Sequence, residues 1–84
     1  KEQDFENPKG ALNKLFTKGM ISEPVYEIID QSEDDDNRHL WKCSCTVEGF
    51  ATQECDGYYY RRNYAEADAA KKVLMEILNE NPRL

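Results

Sequence analysis

Apolar residues recur at helical spacing near the start of the chain, at Leu12, Leu15 and Phe16. Asn7 precedes them and is suited to accept a hydrogen bond from a first-turn N–H, while Pro8 has no N–H to leave unsatisfied. Gly19 is a typical helix stop. The pattern predicts a first helix over residues 8–18. The polar residues before it, 1–6, show no period and are predicted to form a disordered tail.

The middle of the chain has the period of strands. Residues 25–29 are rich in strand formers. Residues 41–47 alternate strictly between apolar and polar, which predicts a strand with one buried and one wet face. Residues 50–55 are short and alternating, so a third strand is predicted there. The acidic stretch between the first two strands, residues 31–38, is predicted to be a loop.

From about Arg61 the period becomes helical again and predicts a second helix. Its apolar stripe consists of two adjacent rows, Ala65, Ala69, Val73 and Ile77 in one and Ala70, Leu74 and Leu78 in the other. The small residues come first, which allows that end of the helix to lie close against a sheet.

The order of elements predicts an α+β domain, α-β-β-β-α, over residues 7–79, with residues 80–84 as a frayed tail. Short connections between the strands indicate a three-stranded antiparallel meander. Both helices are expected to pack on one face of this sheet. The residues expected to be mostly buried in one core are Leu12, Leu15, Trp41, Cys43, Cys45, Val47, Ala65, Ala69, Ala70, Val73, Leu74 and Ile77.

The charge balance is acidic, with 17 acidic and 11 basic residues and a net charge of -6. Such a domain gains no long-range attraction to a phosphate backbone, so a nucleic-acid surface would need its few positive charges on one face. A chain of 84 residues also builds only a small core. No catalytic triad or carboxylate pair has convincing spacing. We therefore expect no enzymatic activity, no small-molecule substrate and no cofactor.

The cysteine count, the hydropathy and the N-terminal residues bear on the cellular location of the protein. No apolar run approaches the ~18 residues of a membrane span, and no signal-peptide pattern opens the chain, so no membrane partner is expected. Three cysteines are an odd number, which is unusual for a small secreted domain and favours a reducing, cytoplasmic setting. Because the chain begins with Lys1 rather than Met, we expect it to be part of a longer protein.

Four segments together resemble the double-stranded RNA-binding domain. Residues 7–15, Asn-Pro-Lys-Gly-Ala-Leu-Asn-Lys-Leu, resemble the opening of that family, and Gly19 followed by Pro-Val-Tyr-Glu at 24–27 resembles its next motif. Residues 41–49 resemble its alternating second strand, which ends in Gly. The stretch from Gly57 through the alanines of the second helix resembles its Gly-x-Gly-x-Ser-Lys-Lys-x-Ala motif. The likeness covers residues 7–78 and implies the same α-β-β-β-α fold.

The resemblance also implies the function and the site. Members of the family bind double-stranded RNA by its shape rather than its sequence, and similar domains are appended to ribonuclease III-type enzymes, helicases and deaminases. It implies RNA contacts from the first helix and from the start of the second, where helix dipole and free N–H groups favour phosphate. The residues at these positions are Lys9, Asn13, Lys14, Arg61, Arg62 and Asn63.

The sequence departs from the family at several of its binding positions. The three basic residues of the second helix fall at Arg62, Asn63 and Glu66, so only the first is kept, although Arg61 adds a charge beside it. The second Gly is replaced by Tyr59. An acidic residue of the first helix is replaced by Lys, and the His of the loop between the first two strands falls inside an acidic run. The scaffold thus matches better than the binding surface does.

Each candidate site has a plainer interpretation. The bases of the second helix, which also include Lys71 and Lys72, are interleaved with Glu66 and Asp68 and are compatible with an ordinary solvated face. The same holds for the polar face of the first helix. The acidic run over residues 33–36 is compatible with a solvated loop or, since carboxylates bind hard cations, with a cation site. In either case it would repel phosphate.

The cysteines and tyrosines also leave alternatives open. His39 with Cys43, Cys45 and Cys55 is a legitimate zinc ligand set. However, Cys-x-Cys on an alternating strand is typical of small core residues, which favours free, metal-free thiols. The three tyrosines at 58–60 are suited to stacking on unpaired bases, to anchoring a protein partner, or to packing the loop onto the core, which is the preferred interpretation.

Two functions from different classes remain. The first is a weak, shape-selective double-stranded RNA-binding module of a larger RNA-processing protein. The second is a member of the fold that has become a protein-docking or homodimerisation module with little RNA binding. The missing basic positions and the net charge of -6 favour docking, whereas Asn13, Lys14, Arg61 and Arg62 favour RNA. The balance favours the RNA-binding module.

Overall fold

A computed structural model describes residues 7–81, and the predicted tail at residues 1–6 and the last three residues lie outside it. The elements are α1 (Pro8–Thr17), β1 (Val25–Glu33), β2 (His39–Thr46), β3 (Gln53–Glu54) and α2 (Arg62–Glu80). The three strands form one antiparallel sheet in the order β1-β2-β3. The predicted α-β-β-β-α fold and its meander are confirmed.

α1 begins and ends as its sequence indicates. The Asn7 side chain accepts a hydrogen bond from the backbone N–H of Gly10 at 3.3 Å, and Pro8 occupies the first helical position. After Thr17 the chain turns at Gly19, whose φ of +77° is favourable for glycine. The helix ends one residue earlier than predicted.

β1 is longer than predicted, because its second half forms a hairpin arm with β2. Pairing continues from Val25–Thr46 to Glu33–His39, with an irregularity between Ile28 and Asp30. The predicted loop over residues 31–38 is therefore wrong for its first three residues, which belong to β1. Side chains on both faces of this arm are exposed. Because neither face is buried, the sequence of the arm shows no alternation of apolar and polar residues, although its backbone is paired.

β3 is shorter than predicted, since the ladder is regular only at Gln53–Glu54. The backbone then bends at Asp56 and Gly57. Pairing resumes at a bridge where Trp41 and Tyr59 exchange two backbone hydrogen bonds of 2.8 and 2.9 Å. The residues that interrupt the ladder are turn formers, which explains why a continuous strand does not form.

α2 lies across the sheet and reaches further than predicted. It includes Asn79 and Glu80, so Glu80 is helical rather than part of a frayed tail. The backbone N–H of Asn81 then bonds to the carbonyl of Ile77 at 2.9 Å. Within residues 7–81, no helix is long and apolar enough to cross a membrane.

One core lies between α2, α1 and the sheet. Ten of the twelve residues expected there are fully buried, and Leu15 and Trp41 are partly buried and pack against them. Ser44 is an exception to the wet outer face, since it is only 4% exposed. Its register partners Glu27 and Glu54 lie on either side of it. The two predicted periods thus place the core correctly.

Candidate nucleic-acid interface

The packing of α1 against α2 brings together part of the predicted site. Lys9 on α1 lies beside the first turn of α2, with its Nζ 3.3 Å from Oδ1 of Asn63. Arg62 is in the same turn of α2. Asn13 and Lys14 follow about one turn further along α1, and both are exposed. Lys9, Arg62 and Asn63 therefore share one region, and Asn13, four residues after Lys9, extends the same face of α1.

Glu66 lies between these helices and binds two of the predicted cations. Its Oε1 is 2.6 Å from Nζ of Lys9, and its Oε2 is 3.0 Å from Nε of Arg62. Partial burial raises the pKa of Glu66, but the hydrogen bonds from the two cations outweigh burial and lower it overall. At neutral pH Glu66 is thus an ionised carboxylate shared by α1 and α2.

The first turn of α2 has no side-chain cap, and of its backbone N–H groups that of Tyr64 bonds to the carbonyl of Arg61 at 3.0 Å. Arg61 is the N-cap residue, with extended backbone, and its side chain makes no capping hydrogen bond. The first turn carries no acidic residue. The Arg61 guanidinium lies 5.9 Å from the centre of the Tyr64 ring, which is 55% exposed. Helix dipole, free N–H groups and guanidinium charge therefore combine here in favour of an anion.

Lys72 belongs to the fold rather than to a binding surface. Its Nζ donates to the carbonyl of Glu54 at 2.9 Å and pairs with the Asp56 carboxylate. Asp68, another of the interleaved acids, accepts hydrogen bonds from the Asp56 backbone N–H at 2.8 Å and from the Tyr59 hydroxyl at 2.9 Å. These bonds attach the loop after β3 to α2.

The three tyrosines divide into one inward and two outward side chains. Tyr59 packs against the core, and burial and its bond to Asp68 raise its pKa to about 12. Tyr58 and Tyr60 are exposed. The Tyr58 hydroxyl bonds to Asp30, and the Tyr60 ring lies 4.7 Å from the Arg38 guanidinium. The packing interpretation is confirmed for Tyr59 alone.

The acidic run at the hairpin tip is organised by Asp34. One Oδ of this residue accepts from the backbone N–H groups of Asp36 and Arg38, both at 2.9 Å, and the other pairs with the Arg38 side chain at 2.9 Å. The backbone N–H of Arg38 is the main cause of the lowered pKa of Asp34. Asn37 adopts a φ of 63°, a conformation that Asn tolerates. Asp34 therefore shapes the turn, and Asp35 and Asp36 remain exposed.

The cysteines are small core residues, as the alternation predicted. Cys43, Cys45 and Cys55 are free and buried. Burial raises the pKa of Cys43 and brings that of Cys45 to about 11, so these two stay protonated at neutral pH. His39 is exposed and bonds to Gln31 at 2.7 Å. No cluster of three or more metal-ligating side chains occurs in residues 7–81, and the metal-free state of the thiols stays a prediction.

Glu66 is the site residue whose role the sequence did not reveal. Its spacing of four from Arg62 is a signal for a helical ion pair. Its pairing with Lys9, 57 positions away, depends on how the helices pack. Sequence reasoning treated Glu66 as an interleaved negative charge at a position where the family has a basic residue.

Two comparisons with known proteins both relate the chain to proteins that act on RNA. The family model of the double-stranded RNA binding motif matches residues 8–77. The chain is also 32% identical over 74 residues to Ribonuclease 3 of Treponema succinifaciens. That alignment covers 88% of this chain but only 19% of the relative, so the chain spans about one fifth of that enzyme's length.

Proposed function

The chain belongs to the double-stranded RNA binding motif family, and we propose that it binds RNA duplexes through α1 and the first turn of α2. The observation that carries this assignment is that Lys9 of α1 lies beside the first turn of α2, which has no side-chain cap, with its Nζ 3.3 Å from Asn63. A-form RNA offers phosphates and 2′-hydroxyls across a wide, shallow minor groove, which two adjacent helix surfaces are suited to contact without reading sequence.

The proposed roles differ from residue to residue. Arg61 and Arg62 are the main phosphate contacts, because guanidinium groups make strong charge-assisted hydrogen bonds and lie at a helix N-terminus. Lys14 adds a third phosphate contact from α1. Asn13, exposed on the same helix, is suited to 2′-hydroxyls or base edges. Lys9 and Asn63 complete the surface where α1 meets α2.

We further propose that this module serves a longer RNA-processing protein inside the cell. The matched relative is a ribonuclease, and the matched family is a binding motif, so the chain is assigned binding rather than catalysis. The free, buried thiols are compatible with a reducing, cytoplasmic setting. Catalytic residues would then be supplied by other parts of that protein.

The proposal is tested by titrating a ~20-base-pair RNA duplex, longer than the ~16-base-pair footprint of such domains, at several salt concentrations. Three phosphate contacts predict a slope of log K against log salt of roughly -2 to -3, on the B-DNA scale of about -0.9 per contact. Arg61→Ala plus Arg62→Ala should reduce affinity at least tenfold at about 50 mM salt and make the slope shallower by about 2.

The matched control is Lys42→Ala plus Lys71→Ala, which changes the net charge equally. Lys42 alternates with the inward-facing residues of β2, and Lys71 is exposed further along α2. This double variant should bind nearly as well as the parent. If it loses as much affinity as the double arginine variant, the named site is wrong. If the parent shows no duplex binding and instead dimerises with concentration, the protein-docking hypothesis replaces this one.

A further inference from the structure

Lys9 is held from three sides. Its Nζ is 2.6 Å from Glu66, 3.3 Å from Asn63 and 5.1 Å from the centre of the Tyr26 ring. An ammonium group has three N–H donors, and the Glu66 and Asn63 oxygens account for two of them. A phosphate that approached Lys9 would therefore compete with bonds that already exist inside the domain.

Arg62 is restrained by the same carboxylate through its Nε. The Glu66 side chain is only 12% exposed, whereas those of Lys9 and Arg62 are 32% and 53% exposed. The negative charge is thus fixed between two helices, and the positive charges face the solvent. No ion pair involves Lys14 or Arg61 within residues 7–81, so these two cations are not restrained in this way.

We propose that Glu66 is an attenuating residue, which limits the strength of duplex binding by holding Lys9 and Arg62 in intramolecular ion pairs. This inference rests on the proposed function, because it concerns the same surface. Binding of a phosphate to either cation must weaken its bond to Glu66 or tolerate a carboxylate a few ångströms away. Each cation therefore contributes less to affinity than an unpaired cation at the same place.

A purely structural role for Glu66 makes a different prediction. If the carboxylate served only to join α1 to α2, its removal would lower stability and leave affinity unchanged or reduced. The attenuating role predicts higher affinity and a steeper salt dependence, because Lys9 becomes available as one further phosphate contact and Arg62 is no longer restrained by the carboxylate. The salt slope therefore separates the two roles.

The experiment compares Glu66→Gln and Glu66→Ala with the matched variant Glu76→Gln, using the same ~20-base-pair RNA duplex and salt series. Glu76 lies ten residues further along α2, about 15 Å away, and its substitution changes the net charge by the same amount as Glu66→Gln. Both Glu66 variants should bind roughly two- to fivefold more tightly than Glu76→Gln at about 50 mM salt. Their slopes should be steeper by about 1.

A second measurement links the effect to Lys9. In a Lys9→Gln background, Glu66→Gln should improve binding less than it does in the parent, because one of the restrained cations is absent. Circular dichroism melts establish that each variant is folded at the assay temperature. Should Glu66→Gln destabilise the fold, the comparison is made at a lower temperature and with Glu66→Ala.

The outcomes separate this inference from the proposed function. If Arg61→Ala plus Arg62→Ala weakens binding while both Glu66 variants bind no better than Glu76→Gln, the attenuating role is wrong and the binding site stands. If an equal gain appears for Glu66→Gln and Glu76→Gln, only net charge matters and the inference fails. Absence of binding by the parent and all variants overturns both.

Discussion

The first helix and the strand segment of this protein carry opposite charge. Residues 7–20, which include α1, contain three lysines and no acidic residue, whereas residues 21–60, which include all three strands, contain ten acidic residues and two basic ones. Residues 61–84, which include α2, lie between these extremes, with Arg61 and Arg62 in front of the first acidic residue. The net charge of -6 is therefore a sum over segments of unlike charge.

This contrast explains how an acidic domain can offer a surface to phosphate. The molecule is 45 Å along its longest axis, several times the ~10 Å over which charges act at 0.1 M salt. A phosphate at α1 and the start of α2 therefore responds mainly to the charges near it. The sign of the whole chain governs solubility and long-range approach more than it governs local contacts.

Both regions depend on one core, so the largest expected effect comes from removing part of it. Leu74 is 1% exposed and packs in the core cluster. Leu74→Ala should lower the free energy of unfolding by ~2–5 kcal/mol, from lost burial and the cavity left behind. Urea denaturation followed by circular dichroism measures the change.

The adjacent residue provides the control for that prediction. Met75 is 52% exposed, and Met75→Ala should change the unfolding free energy by only about 0.5 kcal/mol. A loss below about 1 kcal/mol for Leu74→Ala would mean that the buried face of α2 has been misassigned.

The second prediction concerns the bond that joins the acidic segment to α2. The Tyr59 hydroxyl donates a hydrogen bond to the Asp68 carboxylate, which also accepts one from the backbone N–H of Asp56. Tyr59→Phe removes this hydroxyl and should cost about 1.5 kcal/mol of stability, because a hydrogen bond to a charged carboxylate contributes more than the ~1 kcal/mol of a neutral one.

Thermal and urea melts of Tyr64→Phe serve as the reference, because the Tyr64 ring is 55% exposed and no side-chain hydrogen bond of its hydroxyl occurs within residues 7–81. Equal stability of the Tyr59 and Tyr64 variants would show that the Asp68 network does not stabilise the junction.

The smallest effect should come from the acidic hairpin tip acting on RNA at a distance. Asp35→Asn plus Asp36→Asn leaves the turn-forming Asp34 intact. This double variant should strengthen duplex binding by about twofold at low salt, and the gain should vanish near 1 M salt, where screening acts within ~3 Å.

Glu23→Gln plus Glu48→Gln is the matched comparison at the opposite end of the sheet, since β1 begins there in register with the end of β2. If this pair strengthens binding as much as the hairpin pair does, the position of the acidic charges has no influence.

Local patterns were sufficient for most of the fold. The alternation over residues 41–47 predicted which side chains of β2 face the core, and the two rows of α2 predicted its buried stripe. Asn7, Pro8 and Gly19 predicted the limits of α1 to within one residue. These features can be predicted from the sequence because buried side chains recur with the period of the helix or strand to which they belong.

The pattern was uninformative where side chains are exposed on both faces or where the ladder is interrupted. The outer half of β1 is held by backbone pairing to β2, so its polar residues gave no strand signal. The bridge between Trp41 and Tyr59 forms only because the chain returns to the sheet after the bend at Asp56 and Gly57. Neither feature depends on the apolar periods that sequence reasoning uses.

The sequence by itself determined the family, the order of elements and the residues that are proposed to contact phosphate. Only the tertiary structure decided which of those cations are already paired. Lys9 and Glu66 lie 57 positions apart and meet at 2.6 Å because α1 packs on the first turns of α2. Ion pairs between distant elements depend on the packing geometry of those elements, and no local period encodes that geometry.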